Sequence, residues 1–356
     1  NKPGQFYKKI SSLLRKEKFN LKFFFYGGDH LGPLPWKNLN SKTALKNSIK
    51  LVDSYLNANS SKIHIDTSIK CADDKQLTNE IIFNRSVHII KNLKYKKKLK
   101  KVFLVFGTEV PLSGGNDKSK IKKTSLNQVK KEGLNFKKLK KINLNSLSFA
   151  LVIEPGMKFM HNQVTVPDFK NFADHKKFSK KLDFVFEAHS SDYQKTTTLK
   201  KVVKNNFKFL KVGPELTYFL LKAFFCMEKL ENKFTFKNKS KFKKNLLKEM
   251  FKNKKYWKNY YKSSDKKIAT KIMNSMYDRT RYYFETQAVK SSLKILKKNI
   301  EKIDQQKIIQ SLIKNKNLKD YKMLIPYKLK NYELVIFCFV EKIFLKYYQA
   351  SGFKTN

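Results

Sequence analysis

An aspartate and a histidine stand side by side in YGGDHLGPLPW (26–36), where two glycines precede Asp29 and His30 and a Gly-Pro pair follows. Polar residues recur in the same way behind other short apolar runs. They are His64 and Asp66 in KIHIDTS, Glu109 in FGTEVP, Glu154 followed by His161, Glu187 with His189 and Asp192 in FEAHSSD, and Lys211 in LKVGP. Four of the six histidines (30, 64, 161 and 189) fall at or just past such runs, whereas His88 and His175 lie in helical stretches. Neutral imidazoles combined with a carboxylate suit Zn²⁺ or a similar divalent ion. His30, Glu109, His161 and His189 are the candidate ligands, and Asp29 is the candidate general base beside them. A metal held there would stabilise negative charge developing on a carbonyl or hydroxyl oxygen. Each residue also has a plainer use. A histidine at a strand end is commonly a hydrogen-bonded structural residue, Asp66 could cap a helix, and Glu109 could be a solvated turn residue. Lys211 stands among many other lysines.

The elements that would position these residues follow a repeating order. The apolar runs at 21–28, 62–68, 101–111, 149–156, 184–192 and 207–214 read as buried strands, each ending in Gly, Pro or polar residues. Helical patterns lie between them, over 44–56, 77–93 and 169–182. Strands alternating with helices imply βαβ units and a parallel sheet. Six units in about 200 residues point to a TIM (β/α)8-type barrel rather than a three-layer sandwich. No GxGxxG stands where a dinucleotide-binding first turn would need it. In a barrel the strand C-termini converge on one face, so separate strands can bring these side chains to one point. The polar, Lys-rich stretch 112–145 reads as a long loop plus a helix over the barrel mouth. Past about residue 220 the strand signals fade and Lys-rich amphipathic helices follow, with aromatic clusters YWKNYY and YDRTRYYF. The division expected is a barrel portion over 1–225 and a helical C-terminal extension over 226–356, packed on the barrel.

Composition narrows the function classes. Apolar residues make up 41 %, ordinary for a globular chain, but 78 Lys+Arg against 28 Asp+Glu give a net charge of +50. A nucleic-acid binder concentrates charge on one face or tail and uses Arg to read bases. Here Lys far outnumbers Arg and is scattered, and Asn, Phe, Tyr and Ile are inflated with it, as in an AT-rich coding sequence. No specific nucleic-acid partner is expected, although weak polyanion affinity follows from charge alone. Cys71, Cys226 and Cys338 stand far apart without a CxxC, which fits a reducing cytoplasm rather than a disulfide framework. The apolar run 334–340 is too short to span a bilayer, no signal peptide is read, and no membrane partner is expected.

The motifs GGDHLGP, KIHIDTS with CADD, FGTEVP, EPGMKFMH, FEAHSSDYQ, LKVGPELT, YWKNYY and DRTRYYF occur in that order. Together they resemble the D-tagatose-1,6-bisphosphate aldolase Z-subunit family over nearly the whole chain, a family also described in terms of tagatose-6-phosphate kinase. That family is similar in fold to class II, zinc-dependent ketose-bisphosphate aldolases. The resemblance implies a non-catalytic subunit that supports a class II aldolase catalytic chain acting on a sugar phosphate in galactitol and tagatose catabolism. It also implies a divalent metal, zinc foremost. An alternative is a stand-alone, metal-dependent D-tagatose-6-phosphate 4-epimerase. By the same resemblance Asp29 and Asp66 are the catalytic carboxylates, His30, Glu109, His161 and His189 the metal ligands, and Gly213 after Lys211 a phosphate-loop position. Lys211, Arg279 and Arg281 are the cations expected at phosphate. Against the family pattern the barrel is expected to be N-terminally truncated, lacking its first one or two strands.

Overall fold

A computed structural model of the chain describes residues 2–107, 123–140, 148–170, 172–261, 267–318 and 329–353. Helix α1 (Pro3–Lys16) leads into β1 (Gly27–Leu31). Then follow α2 (Ser41–Asn57), β2 (Lys62–Ile65), α3 (Asn79–Lys91), β3 (Phe103–Phe106), α4 (Leu126–Lys140) and β4 (Ser148–Ile153). A two-stranded antiparallel ribbon, β5 (Lys158–Phe159) and β6 (Val164–Thr165), precedes α5 (Phe172–Lys181), β7 (Phe184–Ala188), α6 (Thr196–Lys204) and β8 (Phe207–Leu210). The remainder is helical: α7 (Glu215–Glu231), α8 (Phe242–Lys252), α9 (Ile268–Asn274), α10 (Gln287–Ile300), α11 (Gln305–Ile313) and α12 (Asn331–Ala350).

The six larger strands form one all-parallel sheet in the order β1-β2-β3-β4-β7-β8. The sheet curls. Strands lie about 4.8 Å apart, so in a flat sheet β3 and β8 would be separated by roughly 14 Å and β2 and β8 by roughly 19 Å. Instead the rings of Phe103 and Phe209 stand 5.1 Å apart, and the Lys62 ammonium lies 5.4 Å from the Phe209 ring. The concave side holds a small apolar layer of Val105, Ala150 and Val152, with Val185 and Phe209 against it. The convex side packs on the helices through Ile63, Ile65, Leu104, Phe149, Leu151 and Phe186. Side chains alternate across a strand, which is why each strand contributes to both layers.

A second core joins α7 through α12 and includes buried Trp257, Tyr277 and Tyr283. Helix α7 crosses residue 225 and puts Leu221, Met227 and Leu230 into this second core. Helix α12 packs on both α6 and α7, which ties the helical unit to the sheet layer.

Two expectations change. The apolar run at 21–26 is not a strand. Leu21–Phe23 form a 3-10 turn and Phe23 and Phe25 are exposed, while Tyr26 turns inward and donates to the Pro3 carbonyl oxygen at 3.0 Å. Pairing with β2 begins only at Gly27, opposite Lys62. The described helix of the 112–145 stretch, α4, does not cover a mouth. It packs on α5 and β4, with Val129 and Leu139 in the convex-side core.

Candidate active site

Asp29 and His30 lie within β1, not after it. Successive strand residues normally point to opposite faces. Here the register of β1 against β2 slips between Gly28 and Leu31, and His30 adopts φ 53°. That bulge re-aims the histidine, so both side chains reach the same cluster. The left-handed backbone at a non-glycine residue costs on the order of 1–2 kcal/mol. Just beyond it, Gly32 runs so close to β2 that a Cβ would stand 1.7 Å from the Asp66 carbonyl oxygen.

Strand β2 supplies the second set. Lys62, His64 and Asp66 are spaced two apart and share one face, while Ile63 and Ile65 fill the opposite core. Strand β7 and the residue beyond it supply Glu187 and His189 by the same spacing. Lys211 follows β8.

The geometry pairs each imidazole with a carboxylate. His64 Nδ1 donates to Asp29 Oδ1 at 2.7 Å, His30 Nδ1 donates to Asp66 Oδ2 at 2.8 Å, and His189 Nε2 donates to Glu187 Oε1 at 3.2 Å. The ring centres of His30 and His64 lie 4.9 Å apart, and that of His189 lies 6.1 Å from each. Lys62 Nζ pairs with Glu187 Oε2 at 2.6 Å. Lys211 Nζ donates to His30 Nε2 at 2.7 Å and pairs with Asp29 Oδ2. Lys211 thereby joins the last strand of the sheet to the first across the open end of the curl.

Electrostatics follow from these pairs. Burial would raise the Asp29 carboxyl, but the hydrogen bond from His64 and the Lys211 ammonium hold it far below the usual carboxylate range. Against burial, His30 and Ser68 hold Asp66 at about 2, and His189 and Lys62 hold Glu187 at about 2. Burial lowers His189 to about 4, opposed by its bond to Glu187. The site therefore carries ionised carboxylates beside a neutral His189 at neutral pH.

Two groups of side chains bring their ligand atoms within 4.8 Å of one another: Asp29, His30 and His64, and His64, Glu187 and His189. His64 belongs to both. It is fully buried, and its Nε2 has no hydrogen-bond partner among the described residues. A carboxylate on one ring nitrogen and a lone pair left on the other is the arrangement that orients histidine for a metal. The donor set fits a divalent ion of the zinc type.

The site residues read from sequence divide accordingly. Asp29, His30, Asp66, His189 and Lys211 come together. Glu109 lies outside the described residues. His161 sits in the turn between β5 and β6, where its carbonyl oxygen accepts from the Met276 amide, and it belongs to neither ligand group. The Gly213 amide donates to Asp192 Oδ1 and Oδ2 at 2.8 and 3.0 Å, so a buried carboxylate takes the position an anion would fill. Arg279 lies 3.9 Å from the Tyr260 ring and donates to the Tyr256 carbonyl oxygen, and Arg281 donates to the carbonyl oxygens of Tyr277 and Asp278. Both arginines thus brace the helical unit. Lys62, His64 and Glu187 join the cluster without having been singled out as ligands or cations, although the i, i+2 spacing with Asp66 and His189 carries that signal.

Residues 1–352 match the family described as D-tagatose-1,6-bisphosphate aldolase subunit GatZ/KbaZ-like. The chain belongs to that family. Among its relatives is the D-tagatose-1,6-bisphosphate aldolase subunit GatZ of Escherichia coli O1:K1 / APEC, 30 % identical over 314 residues, or 85 % of this chain and 74 % of the relative. The subunit of the same name from Escherichia coli strain SMS-3-5 / SECEC matches with the same identity and coverage. A solved structure named "probable tagatose 6 phosphate kinase", from Sinorhizobium meliloti 1021, superimposes with a TM-score of 0.80. At 21 % identity, it covers 98 % of this chain and 88 % of its own, and establishes the shared fold. Among the described residues no helix of this GatZ/KbaZ-like chain is long and apolar enough to cross a membrane.

Proposed function

We propose that this chain is the GatZ/KbaZ-type subunit of a D-tagatose-1,6-bisphosphate aldolase and supports a separate class II catalytic chain in ketose-phosphate catabolism. The observation that carries the reading is the match over residues 1–352, with relatives of that name at 30 % identity. On this reading the curled sheet is part of a TIM-type barrel, the partner is the catalytic chain, and the ligand is a sugar phosphate. Three unpaired, buried cysteines support work in the reducing cytoplasm.

His64, Glu187 and His189 would hold a divalent metal, with Asp29 orienting His64, and zinc suits their donor atoms best. When bound, such an ion supplies Lewis-acid stabilisation of a ketose oxygen. The protein's own residues set the conditions for that. Asp66 fixes the His30 ring and Asp29 fixes the His64 ring, each through Nδ1. Held ionised by His64 and Lys211, Asp29 is a weak proton acceptor in this arrangement, which suits orienting His64 better than removing a proton. Lys211 is the cation placed to meet a substrate oxyanion or phosphate.

The test adds the purified chain to a class II aldolase catalytic chain and follows cleavage of D-tagatose 1,6-bisphosphate. The expected result is a higher and longer-lived activity than the catalytic chain shows alone, with none from this chain by itself. The epimerase reading is checked in the same experiment. Formation of fructose 6-phosphate from tagatose 6-phosphate by this chain alone, followed by NMR, would replace the subunit reading.

A further inference from the structure

A cleft of about 780 Å³ opens in the helical unit, between α7, the start of α8, the end of α9 and the segment following α11. Six lysines line it: Lys222, Lys229, Lys233, Lys243, Lys314 and Lys316. No carboxylate lines it among the described residues. Its remaining wall is made by Tyr218, Phe225, three asparagines, Cys226 and Ser311. Lys222 Nζ and Lys243 Nζ lie 5.5 and 4.6 Å from the Phe225 ring, and Lys222 Nζ also lies 4.6 Å from the Tyr218 ring and donates to Asn274 Oδ1 at 3.0 Å.

Scattered lysines are general in this chain, but a concave cluster is different physically. Low-dielectric walls focus the field of like charges into the hollow. Burial above all, and then the charge of Lys243, bring the Lys222 ammonium down to about 8; Asp278 opposes this and Lys316 adds to it. Among the described residues the lining offers no carboxylate, so its charges repel one another until an anion enters. The volume falls within the range of roughly 300–1,000 Å³ usual for small-ligand sites.

We propose that this cleft binds a small multivalent phosphate anion, namely a polyphosphate chain, either free or carried on a nucleoside. The proposal is independent of the aldolase-subunit reading, because the cleft shares no residue with the histidine cluster.

The experiment titrates the full chain by calorimetry at physiological salt with inorganic tripolyphosphate, a nucleoside triphosphate and inorganic monophosphate. Saturable one-site binding of the first two is expected, with monophosphate at least about tenfold weaker because fewer charge-assisted bonds form. Equal affinity for the two triphosphates would assign binding to the phosphate chain alone; tighter binding of the nucleotide would add the Tyr218 and Phe225 wall. Lys222→Gln with Lys243→Gln should weaken binding by about tenfold or more. A control, Lys96→Gln with Lys98→Gln, removes the same charge from a 3-10 turn of the sheet layer and should change it less than about twofold if long-range charge is screened. Equal losses in the two double variants, or no saturable binding, would overturn the proposal by reducing the cleft to diffuse surface charge.

Discussion

His64 Nδ1 lies 2.7 Å from Asp29 Oδ1, while the other nitrogen of the same buried ring has no hydrogen-bond partner among the described residues. One side of the imidazole is fixed and the other is kept available. Replacing His64 with Ala should therefore abolish high-affinity zinc binding. Asp29→Asn should weaken it by about 10–100-fold, the usual consequence of losing a carboxylate that orients a ligand. Metal content after dialysis against a graded chelator measures both. Unchanged zinc in His64→Ala would exclude this ligand group.

Lys211 donates to His30 Nε2, the nitrogen that His30 would otherwise offer to a cation. Removing the ammonium should raise divalent-metal affinity and lower the affinity for sugar phosphate. For Lys211→Met the expected change is about threefold or more in each direction, since a nearby charge contributes on the order of 1 kcal/mol even when partly solvated. Competition with a metallochromic dye reads the first change and ligand titration the second. Weaker metal binding in the variant would show that Lys211 supports the site electrostatically rather than competing within it.

Gly32 passes too close to Asp66 to carry a side chain. Gly32→Ala must push β1 away from β2 just where His30 meets Asp66. A loss of more than about 3 kcal/mol is expected, at the severe end for overpacking. Thermal or urea unfolding gives the value. A variant as stable as the parent would mean that the strands separate there at little cost.

Burial raises the Asp278 carboxyl to about 6, against hydrogen bonds from Thr217 and Thr280. Its folded-state pKa exceeds the unfolded value of roughly 4, so the folded protein retains a proton that the unfolded chain releases. The stability linked to it is complete below about pH 4 and declines as pH rises through 6. Asp66 and Glu187, held at about 2, act oppositely: their contribution is present above about pH 4 and is lost as pH falls through 2. Asp278→Asn should remove its own part of the decline between pH 4 and 7, a relative gain on the order of 3 kcal/mol, while the part carried by Asp192, which burial also raises to about 6, and the acid limb remain. Melting temperatures from pH 3 to 8 test this; parallel curves for the two proteins would contradict it.

Much of the site is legible in local spacing. Lys62, His64 and Asp66 alternate with Ile63 and Ile65, and Glu187 precedes His189 by two, so the period of a strand already places each set on one face. The unusual feature of β1 is not legible, because a histidine at positive φ depends on a register slip against another strand. The run 21–26 shows the same limit from the other side: its composition favours a strand, yet among the described residues no strand pairs with it before Gly27. Arg279 illustrates a third case. Its stacking on Tyr260 and Tyr282 joins residues brought together by folding of the helical unit, so sequence could mark its charge but not its neighbours.

The Tyr347 hydroxyl of α12 lies 3.1 Å from the Ser191 carbonyl oxygen and 2.9 Å from Glu215 Oε2, and Ser191 Oγ donates to the Lys211 carbonyl oxygen at 2.7 Å. The loop beyond His189 and the loop bearing Lys211 are thus fastened by a residue made 156 positions later than Ser191. At about 5–20 residues per second, a ribosome needs roughly 10–30 s to supply that fastening. During this interval the nascent sheet can already exist while its histidine-bearing loop waits for an anchor, so the last stage of assembly belongs to the period after most of the chain has been synthesised.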